Sequence, residues 1–416
     1  MVKIKNISAR EILDARGLPT IEARVFLDDD STAVASVPSG SSFGNNEAWD
    51  LRDGDARRYQ GQGVLKAVRK IQEIIAPALQ KKKITEQTAI DQILIDLDGT
   101  ENKKNLGVNA VLAVSLAVAR AAAGSEKQEL FVYLKNTFSL AAPKIPVPLF
   151  NIFNGGKHAD TNLDFQEFLL IPKLASAGEM VRMGAEVFKE LGVVLRESGY
   201  DTDTGVEGGY APNLDSSIEA LELILAAALR VGYKPGKDLH LGIDVGSSIL
   251  YEEKKQKYIF PLDQAYFTSS NLIGLYNEWF KKYPLVYLED GLAPEDWSAW
   301  RELTAELGAK MLIVGDDLFT TSSARLSRGL KEKTANAVVV KPNQAGTLTE
   351  TIAFLKLAQK NKYKIIVSQR SCETNDDFIV DLAVASGADY LKAGSLSRGE
   401  RVSKYNRLMA IADIIK

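Results

Sequence analysis

In the second half of the chain, short β-branched runs end one after another in a charged side chain: LHLGID at Asp244, PLVYLE at Glu289, MLIVGD at Asp316, AVVVK at Lys341 and DYLK at Lys392. The run KIIVS, ending at Ser368, fills the remaining gap. Asp244 and Glu289 lie 45 residues apart, and the later ends follow at intervals of 27, 25, 27 and 24 residues. A step of about 25 residues holds one strand and one helix, so the series predicts parallel β/α units closing into a barrel. Such barrels carry their chemistry at the C-terminal strand ends. Three carboxylates gathered there repel one another unless a cation offsets them, and a hard divalent ion, Mg²⁺ above all, prefers oxygen ligands. A single such carboxylate belongs as readily to a salt bridge or a helix cap; three in consecutive units point to a metal site. A lysine in a polar pocket beside a divalent cation can have its pKa lowered and serve as a base, which is the reading for Lys341 and Lys392. The alternative is a solvated lysine just past the strand, and it is weak for Lys341, which follows a buried run abruptly.

Other segments are candidates on less evidence. Gly205-Val206-Glu207-Gly208-Gly209 sets a carboxylate in a glycine-rich turn, which either presents Glu207 to a cavity or forms a plain flexible loop. Phe165-Gln166-Glu167-Phe168 places a second glutamate among apolar neighbours. Pro38-Ser39-Gly40-Ser41-Ser42-Phe43-Gly44 is small and hydroxyl-rich, and reads as a mobile lid or as a linker. Of the two histidines, His158 follows a glycine-rich loop and suits a site, whereas His240 lies within a strand pattern and reads as structural. Cys372 has no paired His, so it reads as a small buried residue near the site.

The elements around these residues suggest two domains in 416 residues. Ile21, Ala23, Val25 and Leu27 alternate with Glu22, Arg24 and Phe26 as in a strand, and Asp28-Asp29-Asp30 turns the chain into a hairpin with 32–37. Helical spacing over 85–99, with Thr85 as cap and Gly99 as stop, precedes a nearly all-apolar helix over 106–123. Strands followed by helices make a separate α+β domain over 1–140, and the proline-rich 141–148 opens the barrel domain over 141–416. A net charge of −3 gives no reason to expect nucleic acid. The longest apolar run, 111–123, is too short to span a membrane and contains Ser115 and Arg120. The N-terminal residues carry no apolar signal segment and the lone cysteine forms no internal disulfide, so the expected location is the cytoplasm.

Read together, AREILDARGLPTIE, VPSGSSFGNNEAWDLRDGD, IPVPLFNIFNGGKHA, LDFQEFLLIP, GVEGGYAPN, YLEDGLAPEDW, VVVKPNQAGTLTET, VSQRSCET and LKAGSLSRGERVSKYNRL resemble the enolase family over nearly the whole chain. The resemblance implies a small N-terminal α+β domain and a modified (β/α)8 TIM-like barrel whose first units depart from simple alternation. It also implies reversible dehydration of 2-phosphoglycerate to phosphoenolpyruvate with two Mg²⁺ ions, usually in a homodimer. By motif match, Asp244, Glu289 and Asp316 would hold the first ion and Ser42 would help hold the second. Lys341 would remove the C2 proton. Glu207, with Glu167 beside it, would protonate the departing hydroxyl. Lys392 would stabilise charge on the substrate carboxylate, Arg370 and Ser371 would bind phosphate, Gln166 and His158 would line the pocket, and Gln369 would bind substrate with them. Several positions depart from the family. Gln369 replaces a His, Val206 an Asp, Gly291 a Pro and Cys372 a Gly, and the lid carries Ser41 and Phe43 in place of Ala and Thr. The groups for metal binding and proton transfer survive, which favours an active but divergent enzyme; the alternatives are an enolase-superfamily enzyme for another acid, or a non-catalytic relative kept for binding or assembly, to which the altered lid and Gln369 give some weight.

Overall fold

The computed structural model describes residues 1–40 and 47–415, so the lid residues Ser41 to Asn46, Ser42 and Phe43 among them, lie outside the described residues. At the N-terminus, β1 (Ile4–Leu13), β2 (Pro19–Leu27) and β3 (Thr32–Ser36) form an antiparallel meander. The alternation in β2 buries Ile21, Ala23, Val25 and Leu27 completely. They pack on the helix Val108–Ser125, which is buried on nearly every side. That helix is long and apolar enough to cross a membrane by length and composition, which the shorter run 111–123 is not. Its burial against the sheet and neighbouring helices accounts for its apolar character instead. The helix Gln87–Asp98 ends at Gly99, whose φ of +68° takes the left-handed conformation that glycine allows, as the sequence predicts. Its start differs from the expectation: Glu86, not Thr85, precedes the first turn, and no side chain caps it.

The second unit is a closed eight-stranded barrel, giving an α/β fold overall. Its strands are β4 (Val147–Asn154), β5 (Glu167–Pro172) and β6 (Leu239–Asp244), followed after a side sheet by β10 to β14. The side sheet, β7 (Tyr251–Glu252), β8 (Lys257–Phe260) and β9 (Ala265–Phe267), with the helix Ser269–Lys282, fills the long interval between Asp244 and Glu289. The remaining barrel strands are β10 (Leu285–Glu289), β11 (Leu312–Gly315), β12 (Ala337–Val340), β13 (Lys364–Ser368) and β14 (Tyr390–Lys392). Around the barrel the order is β10-β11-β12-β13-β14-β4-β5-β6. Only β5 runs against its neighbours, pairing antiparallel with both β4 and β6. Two successive helices, Ala177–Glu197 and Ser217–Arg230, then return the chain to β6. The barrel therefore opens ββαα rather than βαβα, the kind of departure the resemblance implies. Leu149, Leu169, Ile171, Tyr287, Val314, Ala337, Val339 and Ile366 form a separate buried cluster drawn from alternate positions of its strands.

One polar network ties the two units together. Asp91 is fully buried and accepts hydrogen bonds from Gln87 Nε2 (3.0 Å), Ser115 Oγ (2.6 Å), and the backbone N–H (2.9 Å) and Oγ1 (2.6 Å) of Thr349. Thr349 lies in the first turn of the barrel helix Leu348–Lys360. Removing the carboxylate takes the acceptor from the buried Ser115 hydroxyl and from the two half-buried donors of Thr349, while Gln87 Nε2 keeps Ser115 O at 3.1 Å; each lost partner costs about 1–3 kcal/mol. Asp91→Ala is therefore expected to lower the unfolding free energy by about 3 kcal/mol or more. Urea titration checks this; a loss within the error of the wild-type value would show that the network is dispensable.

Candidate active site

The C-terminal rim of the barrel gathers the residues that the sequence spacing singled out. Asp244, Glu289, Ser368 and Lys392 are the last residues of β6, β10, β13 and β14. Asp316 and Lys341 come one residue after β11 and β12. Because β5 is reversed, its first residue, Glu167, reaches the same rim, opposite Asp244 in the register. One cavity is lined by His158, Gln166, Glu167, Glu207, Asp244, Asp316, Lys341, Gln369, Arg370, Ser371 and Lys392. Of the expected site residues among the described residues, only Glu289 is absent from the wall, and its Oε2 contacts Lys392 Nζ.

Lys392 is the hub of the acidic side. Its Nζ lies 2.7 Å from Asp244 Oδ2, 2.9 Å from Glu289 Oε2 and 3.2 Å from Glu167 Oε2. Burial would lower the lysine pKa, but these carboxylates raise it well above its ordinary value. Glu289 is wholly buried, receives a hydrogen bond from the Tyr287 hydroxyl, and keeps Oε1 without a partner among the described residues. Burial and the neighbouring Asp244 charge push its pKa well up. Lys341 forms an ion pair with Asp316. Burial works to lower its pKa, but the Asp316 carboxylate outweighs burial and holds Lys341 above its usual range.

A second group faces this one. His158 Nδ1 lies 3.3 Å from Glu167 Oε1 and 3.5 Å from Glu207 Oε1. Burial works to raise the Glu207 pKa, but His158, Arg401 and Lys392 outweigh it and draw the carboxyl down to about 2. Glu167 moves the other way, raised by burial and by the Glu207 charge. Two adjacent carboxyls are thus driven apart, with the proton favoured on Glu167. The Glu207 turn is held by Val206 N donating to His158 O (2.8 Å) and by Asn151 Nδ2 donating to Glu207 Oε2 (2.9 Å). Gly208 takes φ +88° there, and a Cβ on it would lie 2.6 Å from Ser397 Oγ.

The donor set fits a hard divalent cation: it offers carboxylate oxygens, it is buried, and one of them, Glu289 Oε1, lacks a partner. Among the described residues, the groupings tight enough to share one ion are Asp290 with Asp316 and Asp317, and His158 with Glu167 and Glu207. Asp316 is common to the first grouping and the expected set, whereas Asp244 and Glu289 converge on Lys392.

Several residues of this site escaped the sequence reading. Asp290 receives the backbone N–H groups of Asp316 (3.0 Å) and Asp317 (2.9 Å), fixing the turn after β11. Glu47 pairs with Arg370 at 2.8 Å. Asn151 is a polar residue inside a buried strand run, a signal that the sequence did offer.

The geometry agrees with comparison against known families. Residues 4–134 match the enolase N-terminal domain, and residues 142–416 match the enolase C-terminal TIM barrel domain. With nearly the whole chain matched and the rim of its barrel carrying this set of carboxylates and lysines, the chain belongs to the enolase family.

Proposed function

We propose that the protein is a lyase that reversibly dehydrates 2-phosphoglycerate to phosphoenolpyruvate, with Mg²⁺ as its cofactor. One observation carries this reading. In the eight-strand order, β12 and β5 stand four places apart, so Lys341 and the Glu167–Glu207–His158 group face each other across the barrel mouth. Elimination of water needs a base at the C2 proton and an acid at the C3 hydroxyl, and this arrangement supplies one from each side. Asp244, Glu289 and Asp316 would hold Mg²⁺, with Ser42 contributing to a second ion; bound there, the ions supply positive charge that stabilises the anion developing on the substrate carboxylate. Lys392 adds a fixed positive charge at the same place. Arg370 and Ser371 bind the phosphate, and Gln166 and His158 bound the pocket. The family resemblance supports a homodimer and a place in cytoplasmic glycolysis and gluconeogenesis.

The test is formation of phosphoenolpyruvate from 2-phosphoglycerate, followed by absorbance, with and without Mg²⁺. Turnover that disappears on chelation and returns on adding Mg²⁺ is expected. No product at any Mg²⁺ concentration would overturn the proposal.

A further inference from the structure

Arg401, on the helix Gly399–Ile415, is fully buried, and it lies in the segment LKAGSLSRGERVSKYNRL without a role assigned from the sequence. Its guanidinium reaches the loop after β13 and the Glu207 turn together. Nη1 donates to Gln369 Oε1 and to Arg370 O (2.9 Å), while Nη2 donates to Ser371 O (2.6 Å) and Val206 O (3.3 Å). Gly394 makes room for the pair: a Cβ there would lie 2.7 Å from Arg401 Cδ and 3.0 Å from Gln369 Oε1.

A guanidinium has donors only, so it settles which end of the Gln369 carboxamide it meets. The oxygen must face Arg401, and the NH₂ must face away. Gln369 is 3% exposed and lines the cavity, and its Nε2 has no hydrogen-bond partner among the described residues. A buried donor left unpaired is costly, and a ligand oxygen would satisfy it.

We propose that Arg401 is a positioning residue that locks the Gln369 carboxamide with its NH₂ toward the cavity, making Gln369 a charge-neutral hydrogen-bond donor to a phosphoryl oxygen of the substrate. This rests on the proposed dehydration of a phosphorylated acid. Gln369 adjoins Arg370 and Ser371, so the donor falls on the phosphate side of the pocket. A neutral amide keeps its donor at every working pH, whereas an imidazole in that place would titrate.

The experiment measures 2-phosphoglycerate affinity by calorimetry with Mg²⁺ present, together with KM and kcat, in the native protein and in Gln369→Met, Gln369→Glu and Arg401→Lys. Gln369→Met removes the donor and keeps the bulk. Gln369→Glu keeps an acceptor for Arg401, which preserves folding, but turns an acceptor toward an anionic ligand. Affinity is expected to fall about tenfold in Gln369→Met and further in Gln369→Glu, with KM rising more than kcat falls. Arg401→Lys should weaken binding likewise, and combining it with Gln369→Met should add little, because both changes remove one interaction. Unchanged affinity in both Gln369 variants overturns the donor role while leaving the proposed reaction standing. Fully additive losses in the double variant overturn the positioning role of Arg401. A native protein that neither binds nor converts 2-phosphoglycerate overturns the reaction itself, and this inference with it.

Discussion

Lys341→Ala is expected to reduce turnover about a thousandfold and to abolish exchange of the substrate C2 proton with solvent deuterium. The lysine stands one residue beyond β12, whose four residues are all buried, and its backbone N–H donates to Thr321 Oγ1 at 3.0 Å. Its position is therefore set by the barrel. The Asp316 carboxylate holds Lys341 above its usual pKa against the opposing pull of burial, so the amine rests charged. In the proposed reaction Lys341 would serve as a base once the Asp316 charge is engaged by another cation, since burial would then act unopposed by that partner. This ties base activity to Mg²⁺, and exchange in the native protein should disappear on chelation. Lys341→Arg should not rescue, because a guanidinium keeps its proton at any working pH. Deuterium incorporation into 2-phosphoglycerate, read by mass spectrometry, is the measurement. Exchange in Lys341→Ala at the native rate would remove Lys341 as the base.

The barrel was legible because each barrel strand from β6 onward is a short apolar run that ends in a polar side chain or is followed at once by one, and the spacing of those ends is fixed by one strand and one helix. The single irregular interval marked a real insertion, the side sheet 251–267. What the spacing did not show was the reversal of β5. Glu167 opens its strand rather than closing it, so no rule about strand ends could place it on the rim; only the antiparallel register does. The strand β1 went unrecognised because it is an edge strand with a register shift between Ile4 and Asn6, and its burial does not alternate cleanly. Arg401 and Lys404 were hidden for a different reason. The helix Gly399–Ile415 has a polar sequence that reads as solvated, yet both cations are fully buried because their donors satisfy loop carbonyls distant in sequence, those of Ser371 and Thr374 among them.

The acid side of the reaction should separate cleanly from the base side. Glu207→Gln is expected to cut dehydration about a thousandfold while sparing most C2 exchange, because the base and its environment across the barrel are unchanged. The substitution is nearly isosteric, and the Gln oxygen can still accept from Asn151 Nδ2, which lies 2.9 Å from Glu207 Oε2. With its pKa drawn down to about 2, Glu207 is ionised at neutral pH and carries no proton of its own to give. In the proposed dehydration the proton would then come from its neighbours. Glu167, raised by burial and by the Glu207 charge, and His158, which those same two carboxylates raise against the effect of burial, are the holders. Glu167→Gln should therefore also slow dehydration more than exchange, although Glu207 itself remains. The two carboxyls titrate as a coupled pair, so the pH profile of dehydration should change in both variants rather than in one. The ratio of exchange rate to dehydration rate in each variant decides the matter. If Glu207→Gln stops exchange as completely as Lys341→Ala does, acid and base are not separate groups on opposite sides of this barrel.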